Sequence, residues 1–129
     1  MIYYSQGKGV FLTPGNNVLS GCYSGGGPTG ISMYRNNPEW QQVPNWGSLP
    51  QGQYTISPEH TVPHLGPCVM ALTPSPGNEM FGRSGFFIHG DNPEENFTAS
   101  DGCIVCNAAL RQQIADLVAS GESQLTVTA

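Results

Sequence analysis

Turn-forming residues punctuate nearly every segment of this chain: 17 glycines and 11 prolines fall among its 129 residues. That is roughly a fifth of the chain, where about an eighth is ordinary. No Gly-X-Y period organises them, and Val, Ile, Leu, Phe, Tyr and Trp recur between them. Such spacing leaves room for short strands joined by tight turns and excludes collagen and disorder. A chain of 129 residues supports one core, so residues 1–129 are expected to form a single domain.

Reading along the chain, Ile2-Tyr3-Tyr4 and Val10-Phe11-Leu12 flank Gln6-Gly7-Lys8-Gly9 as a hairpin, and 16–23 reads as a third strand. Ser24 to Gly30 is a glycine-rich loop, but no Lys-Ser/Thr and helix follow it as a phosphate cradle requires. The polar stretch from Asn36 to Leu49 carries Trp40 and Trp46, which are expected to act as lids on the core, with lining of a glycan or peptide groove as the alternative. Pro50 to Ile56 is a turn feeding a strand with Tyr54 and Ile56 on one face, and Cys68–Leu72 and Phe86–His89 are two further strands. One helix is expected over about 107–120: Asn107 can cap it, Leu110, Ile114, Leu117 and Val118 share a face, and Gly121 can end it. Leu125-Thr-Val127-Thr returns as a last strand. The expected fold is mostly β with one late α-helix.

Charge is sparse and acidic, with 9 Asp+Glu against 4 Lys+Arg and a formal net of −5. Phosphate neutralisation is therefore out of reach, which argues against nucleic acid and anionic membranes as partners. No apolar run is long enough to span a bilayer, so no membrane insertion is expected. The first residues show neither a basic nor an apolar signal region, which predicts synthesis in the cytoplasm without a signal peptide. Cys22 and Cys68 read as core thiols or one optional disulfide, and Cys106 as packed under the helix. A Cys103–Cys106 bridge would block the thiol discussed next.

The densest cluster of reactive residue types runs from Ile88 to Cys106. His89 ends an apolar strand, and Ser100-Asp101-Gly102-Cys103 turns into another apolar run and the helix. A thiolate at Cys103 would be a strong nucleophile, with His89 as the group that takes and returns its proton. Gly102 would leave backbone N–H groups open toward a developing oxyanion. The pattern suits acyl transfer without a cofactor.

His89-Gly90 followed by Ser100-Asp101-Gly102-Cys103-Ile104 resembles the catalytic signature of the L,D-transpeptidase (YkuD-like) superfamily. The closer resemblance is to its small Tlde-type branch of type VI secretion effectors. It extends through Ile2–Leu19, Asn36-Asn37-Pro38, Pro50–Ile56 and Gly82–Gly90, from residue 1 to about 115. Two departures stand out: Asp101 occupies the place of a second histidine, and Val105 that of an arginine.

The resemblance implies an L,D-transpeptidase-like β-sandwich or open barrel, with Cys103 as nucleophile and His89 as base and acid. A backbone carbonyl would orient the imidazole, and Gly102 and Ser100 would complete the catalytic turn. It implies cleavage of the diaminopimelate–D-Ala bond of peptidoglycan tetrapeptide stems (L,D-carboxypeptidase) and D-amino acid exchange (L,D-transpeptidase). Arg83, Asp101 and Gly90 are its substrate-side candidates; Arg83 is equally suited to bracing the Phe86-Phe87 strand. Implied partners are the stem peptide, a cognate immunity protein and a component of the secretion apparatus, with action in the periplasm of a target bacterium. A phage or housekeeping enzyme of the same chemistry fits the same residues.

Two other classes remain open at this stage. A zinc site would use His89, Asp91, Cys103 and Cys106, echoing zinc deaminases, but glutamate and proline are missing from that motif and no βαβ alternation surrounds it. A non-catalytic peptidoglycan-binding β module would use exposed aromatics. His60 and His64 flank a proline-rich turn and are expected to be solvated.

Overall fold

A computed structural model of the protein describes residues 1–27, 33–91, 100 and 102–129. Among these, ten strands and one α-helix make a mostly β fold whose sheet curls into a half barrel. β1 (Ile2–Ser5) and β2 (Val10–Thr13) form the expected hairpin, pairing Tyr3 with Leu12 and Tyr4 with Phe11. Gly9 closes its turn at φ +63°, and a Cβ there would lie 2.2 Å from the Cys22 carbonyl oxygen, so only glycine fits.

The run expected as one strand over 16–23 divides in two. β3 (Asn17–Leu19) pairs with β2, whereas β4 (Tyr23–Ser24) pairs with β9 at the far end of the sheet. Gly21, at φ +94°, breaks the extended path between them. β5 (Gly52–Ile56) buries Tyr54 and Ile56 as their alternation requires. β6 (His60–Val62) pairs with β7 (Gly66–Pro74), which is followed by β8 (Phe86–His89), β9 (Ile104–Val105) and β10 (Gln124–Thr128). The sheet order is β3-β2-β1-β10-β5-β7-β8-β9-β4. Only β1 with β10 and β8 with β9 run parallel among the pairs described.

α1 (Ala108–Ala119) follows β9 and packs against β7. Asn107 caps it, its side-chain oxygen accepting the Leu110 N–H at 2.8 Å. At the other end Glu122 N–H donates to the Leu117 carbonyl and Gly121 N–H to that of Val118, with Gly121 at φ +105°. This is the paired-bond glycine ending that the sequence predicts there. Leu110, Ile114, Ala115 and Val118 close the core over Ile2, Tyr4, Phe11, Tyr54, Met70, Ile88, Ile104 and Leu125. Within that core the Tyr4 hydroxyl is buried and has no hydrogen-bond partner.

The cysteines pair differently from expectation: Cys22 is bonded to Cys106, and Cys68 and Cys103 stand outside that bridge as thiols. Tyr23 lies opposite Val105 in the β4–β9 pair, so the next step outward sets Cys22 against Cys106. Their Cα atoms are 4.5 Å apart, the spacing of a non-hydrogen-bonded antiparallel pair and within reach of a disulfide.

Candidate active site

The parallel pair β8–β9 builds the site. Ile88 lies opposite Ile104 and His89 opposite Val105, so continuing the register back sets Cys103 beside Phe87. Ile88 and Ile104 point into the core, and alternation puts Phe87, His89, Cys103 and Val105 on the other face. The Phe87 N–H donates to Cys103 Sγ at 3.3 Å.

His89 is only 3% exposed. Its Nδ1 lies 2.7 Å from the Gly90 carbonyl oxygen. A carbonyl can only accept, so in the neutral ring Nδ1 carries the proton and Nε2 is the nitrogen with the lone pair. The sequence pattern His-Gly thus supplies both an imidazole and the carbonyl that orients it.

The turn before Cys103 is tied down by Ser100. Its hydroxyl donates to the Cys103 carbonyl and accepts the N–H of Gly25 at 2.8 Å and of Gly102 at 3.2 Å. Ser24 answers from the other side, its hydroxyl donating to the Gly102 carbonyl at 2.9 Å. Gly102 has φ +136°, and a Cβ there would sit 2.5 Å from both Arg83 Nη2 and a Phe86 ring carbon. No other residue fits, for reasons of backbone and of space alike. Its N–H is committed to Ser100 here.

An open groove of about 240 Å³ lies over Cys103, lined by Pro44, Asn45 and the 82–86 segment. Arg83 also borders it. Its guanidinium donates to the carbonyls of Gln41, Gly47 and Ser48 and stacks 5.2 Å from the Phe86 ring centroid. Arg83 therefore holds the 41–48 loop against β8 as one groove wall.

Two comparisons place this geometry. The model of the Tlde1 domain family matches residues 21–128. The chain belongs to the Tlde1 domain family. This is a type VI secretion effector family. The Tlde1 domain here is also similar to the "Structure of Bdellovibrio bacteriovorus Bd1075", at 16% identity and a TM-score of 0.59. That match covers 99% of this chain and 47% of the other, so the domain spans about half the length of the solved structure and shares its fold. A search of curated proteins found no match.

Within the Tlde1 domain the remaining candidates are distributed as follows. Gly90 packs on the Arg111 guanidinium: a Cβ there would lie 2.6 Å from Nη1. Asp101 lies outside the described residues. Asp91 accepts a hydrogen bond from the Tyr23 hydroxyl at 2.8 Å. Trp40 and Trp46 are half-buried and pack edge-on or tilted against Tyr34, at centroid distances of 5.8 and 5.5 Å. His60 and His64 are exposed.

The bridge to Cys22 takes Cys106 out of the zinc reading, and no group of three His, Cys, Asp or Glu converges among the described residues. Three contributors escaped the sequence reading: Ser24, whose partner is 78 residues away, the Cys22–Cys106 bridge, and Arg111. The last did leave a signal, a charged residue at 111 on the apolar helix face of Leu110, Ile114 and Val118.

Proposed function

We propose that this Tlde1 domain is a cysteine L,D-carboxypeptidase and L,D-transpeptidase of peptidoglycan stems. The observation that carries the reading is the His89 ring, oriented through Nδ1 by the Gly90 carbonyl, on the strand beside Cys103. His89 takes the Cys103 proton, and the thiolate attacks the carbonyl at the L-centre of diaminopimelate. The tetrahedral oxyanion collapses, breaking the C–N bond, and the imidazolium returns the proton to the departing D-Ala amine. Water, deprotonated by His89, then attacks the thioester; the acid is released and the thiol restored. A free D-amino acid takes the place of water when it is abundant, giving exchange.

The groove over Cys103 is open to solvent, and an acceptor amine must first be bound and oriented to compete with water. Trimming of tetrapeptide to tripeptide therefore outpaces cross-linking. As an effector the enzyme would act in the periplasm of a target bacterium, with an immunity protein in the producer. The test is digestion of purified tetrapeptide muropeptides by wild type and by Cys103→Ala, resolved by mass. Tripeptide from wild type alone is the expected result. Binding without any mass change in either would replace the enzyme by a binding module.

A further inference from the structure

A second cavity, of about 660 Å³, opens where β8 and β9 end and α1 begins. Tyr23, Gly90, Asp91, Val105 and Arg111 line it. Arg111 is only 8% exposed. Its Nε donates to the Cys68 carbonyl at 3.2 Å and its Nη1 to the Cys106 carbonyl at 2.7 Å. Among the described residues no carboxylate forms an ion pair with it: the Asp91 carboxylate at the same cavity accepts from the Tyr23 hydroxyl, and the ion pair found joins the Met1 amine to Glu122. A buried guanidinium held by two carbonyls and the Cys68 thiol, with no counter-charge among the described residues, is an anomaly, because buried charges are ordinarily neutralised by a counter-charge. The positive end of α1 lies at the same cavity through Ala108, which adds to the preference for an anion.

We propose that this cavity is a carboxylate subsite of the same active centre, with Arg111 as the residue that receives the free D-centre carboxylate of the diamino acid being acylated. The inference rests on the peptidoglycan reading above. Val105, which lines the cavity, is two residues on from Cys103 and shares its face of the strand. At about 3.3 Å per residue the step from Cys103 to the cavity mouth is about 7 to 10 Å. Six single bonds separate the attacked carbonyl carbon from the D-centre carboxylate, a reach of about 7 to 8 Å when extended. The carboxylate of the departing D-Ala, three bonds away, falls short. Bidentate pairing of carboxylate with guanidinium then fixes the donor stem lengthwise along β8–β9.

The test uses binding to the Cys103→Ala protein, so that it stands apart from turnover. Three synthetic tetrapeptides are titrated by calorimetry: one with both carboxylates free, one with the D-centre carboxylate as its amide, one with the D-Ala carboxylate as its amide. The expected result is at least tenfold weaker binding of the D-centre amide, with the D-Ala amide retaining affinity. Adding Arg111→Gln should bring the acid and the D-centre amide to equal affinity, whereas Arg111→Lys should keep a preference for the acid. Ala108→Glu, an exposed change that places a rival carboxylate at the cavity, should also erode the preference without endangering the fold. Equal affinities in the Cys103→Ala parent, a preference tracking the D-Ala amide, a preference surviving both Arg111→Gln and Ala108→Glu, or no binding of any peptide would each overturn the assignment. If wild type fails to cleave yet the preference appears, the subsite stands and the hydrolytic reading alone is lost.

Discussion

The Cys22–Cys106 bridge closes a loop with a sequence separation of 84, and that length sets how much it stabilises the fold. Cross-linking removes conformations from the unfolded chain, and for a loop of this size the entropy term is about 15 cal/mol/K, or about 4.6 kcal/mol at 25 °C. Measured values fall below this ceiling, so a loss of about 2 to 4 kcal/mol is expected from Cys22→Ala/Cys106→Ala. A domain of this size gains about 0.27 kcal/mol/K of unfolding entropy, so the melting temperature should fall by about 7 to 15 °C. The assay is thermal unfolding in a Cys103→Ala background, which prevents thiol exchange from Cys103. Adding a phosphine reductant to the bridged protein should lower its melting temperature to near that of the double variant and leave the double variant unchanged. A double variant melting within 2 °C of the bridged protein would refute the reasoning, as would a reductant effect of equal size on both. The bridge also ties β4, two residues long, to the end of β9, so its loss should loosen the Ser24–Gly102 contact before the rest of the sheet unfolds. Faster exchange of the Val105 amide than of the Ile88 amide on reduction would report this.

Cys103→Ala should reduce muropeptide trimming by at least about a thousandfold, and His89→Ala by about a hundredfold or more, with both variants folded by circular dichroism; full activity in either removes its assigned role. Gly102→Ala should destabilise by about 2 to 4 kcal/mol, from a disfavoured backbone and a clash with Arg83 and Phe86, read by urea denaturation; a neutral result would mean the turn is not built as described. Tyr4→Phe should raise the melting temperature by about 2 to 4 °C, because it removes a buried hydroxyl with no partner; a fall would reveal a bond that Tyr4 makes. The Cys68 thiol is pushed up, first by burial and then by the Glu59 carboxylate, with Arg111 opposing. Since its folded value exceeds its unfolded one, it favours folding below the unfolded thiol range and loses that contribution as pH rises through the folded value. Cys68 should accordingly react with iodoacetamide more slowly at pH 8.5 than a free peptide thiol, and slower still in Arg111→Gln; an unchanged rate in that variant would deny the guanidinium its effect on the thiol.

Local chemistry wrote much of this protein into its sequence. The bounds of β8, the Asn107 cap, the Gly121 ending of α1 and the hairpin at Gly9 all follow from residues within one or two turns of each other, where propensity and backbone sterics act directly. The order His-Gly then Ser-Xaa-Gly-Cys was equally legible, because the groups that orient His89 and shape the Cys103 turn are its own neighbours in the chain. Tertiary structure alone decided what β4, Arg83, Arg111 and the cysteines do. Cys22-Tyr23 continues the run of β3 in sequence, yet this segment crosses to β9, where Ser24 finds Gly102 and Cys22 finds Cys106. Arg83 suits a ligand as well as a brace until the 41–48 loop folds over it and takes its donors. Such pairings depend on which strands become neighbours, and that is settled by the burial of the whole apolar face at once, a sum over the chain that no local window contains.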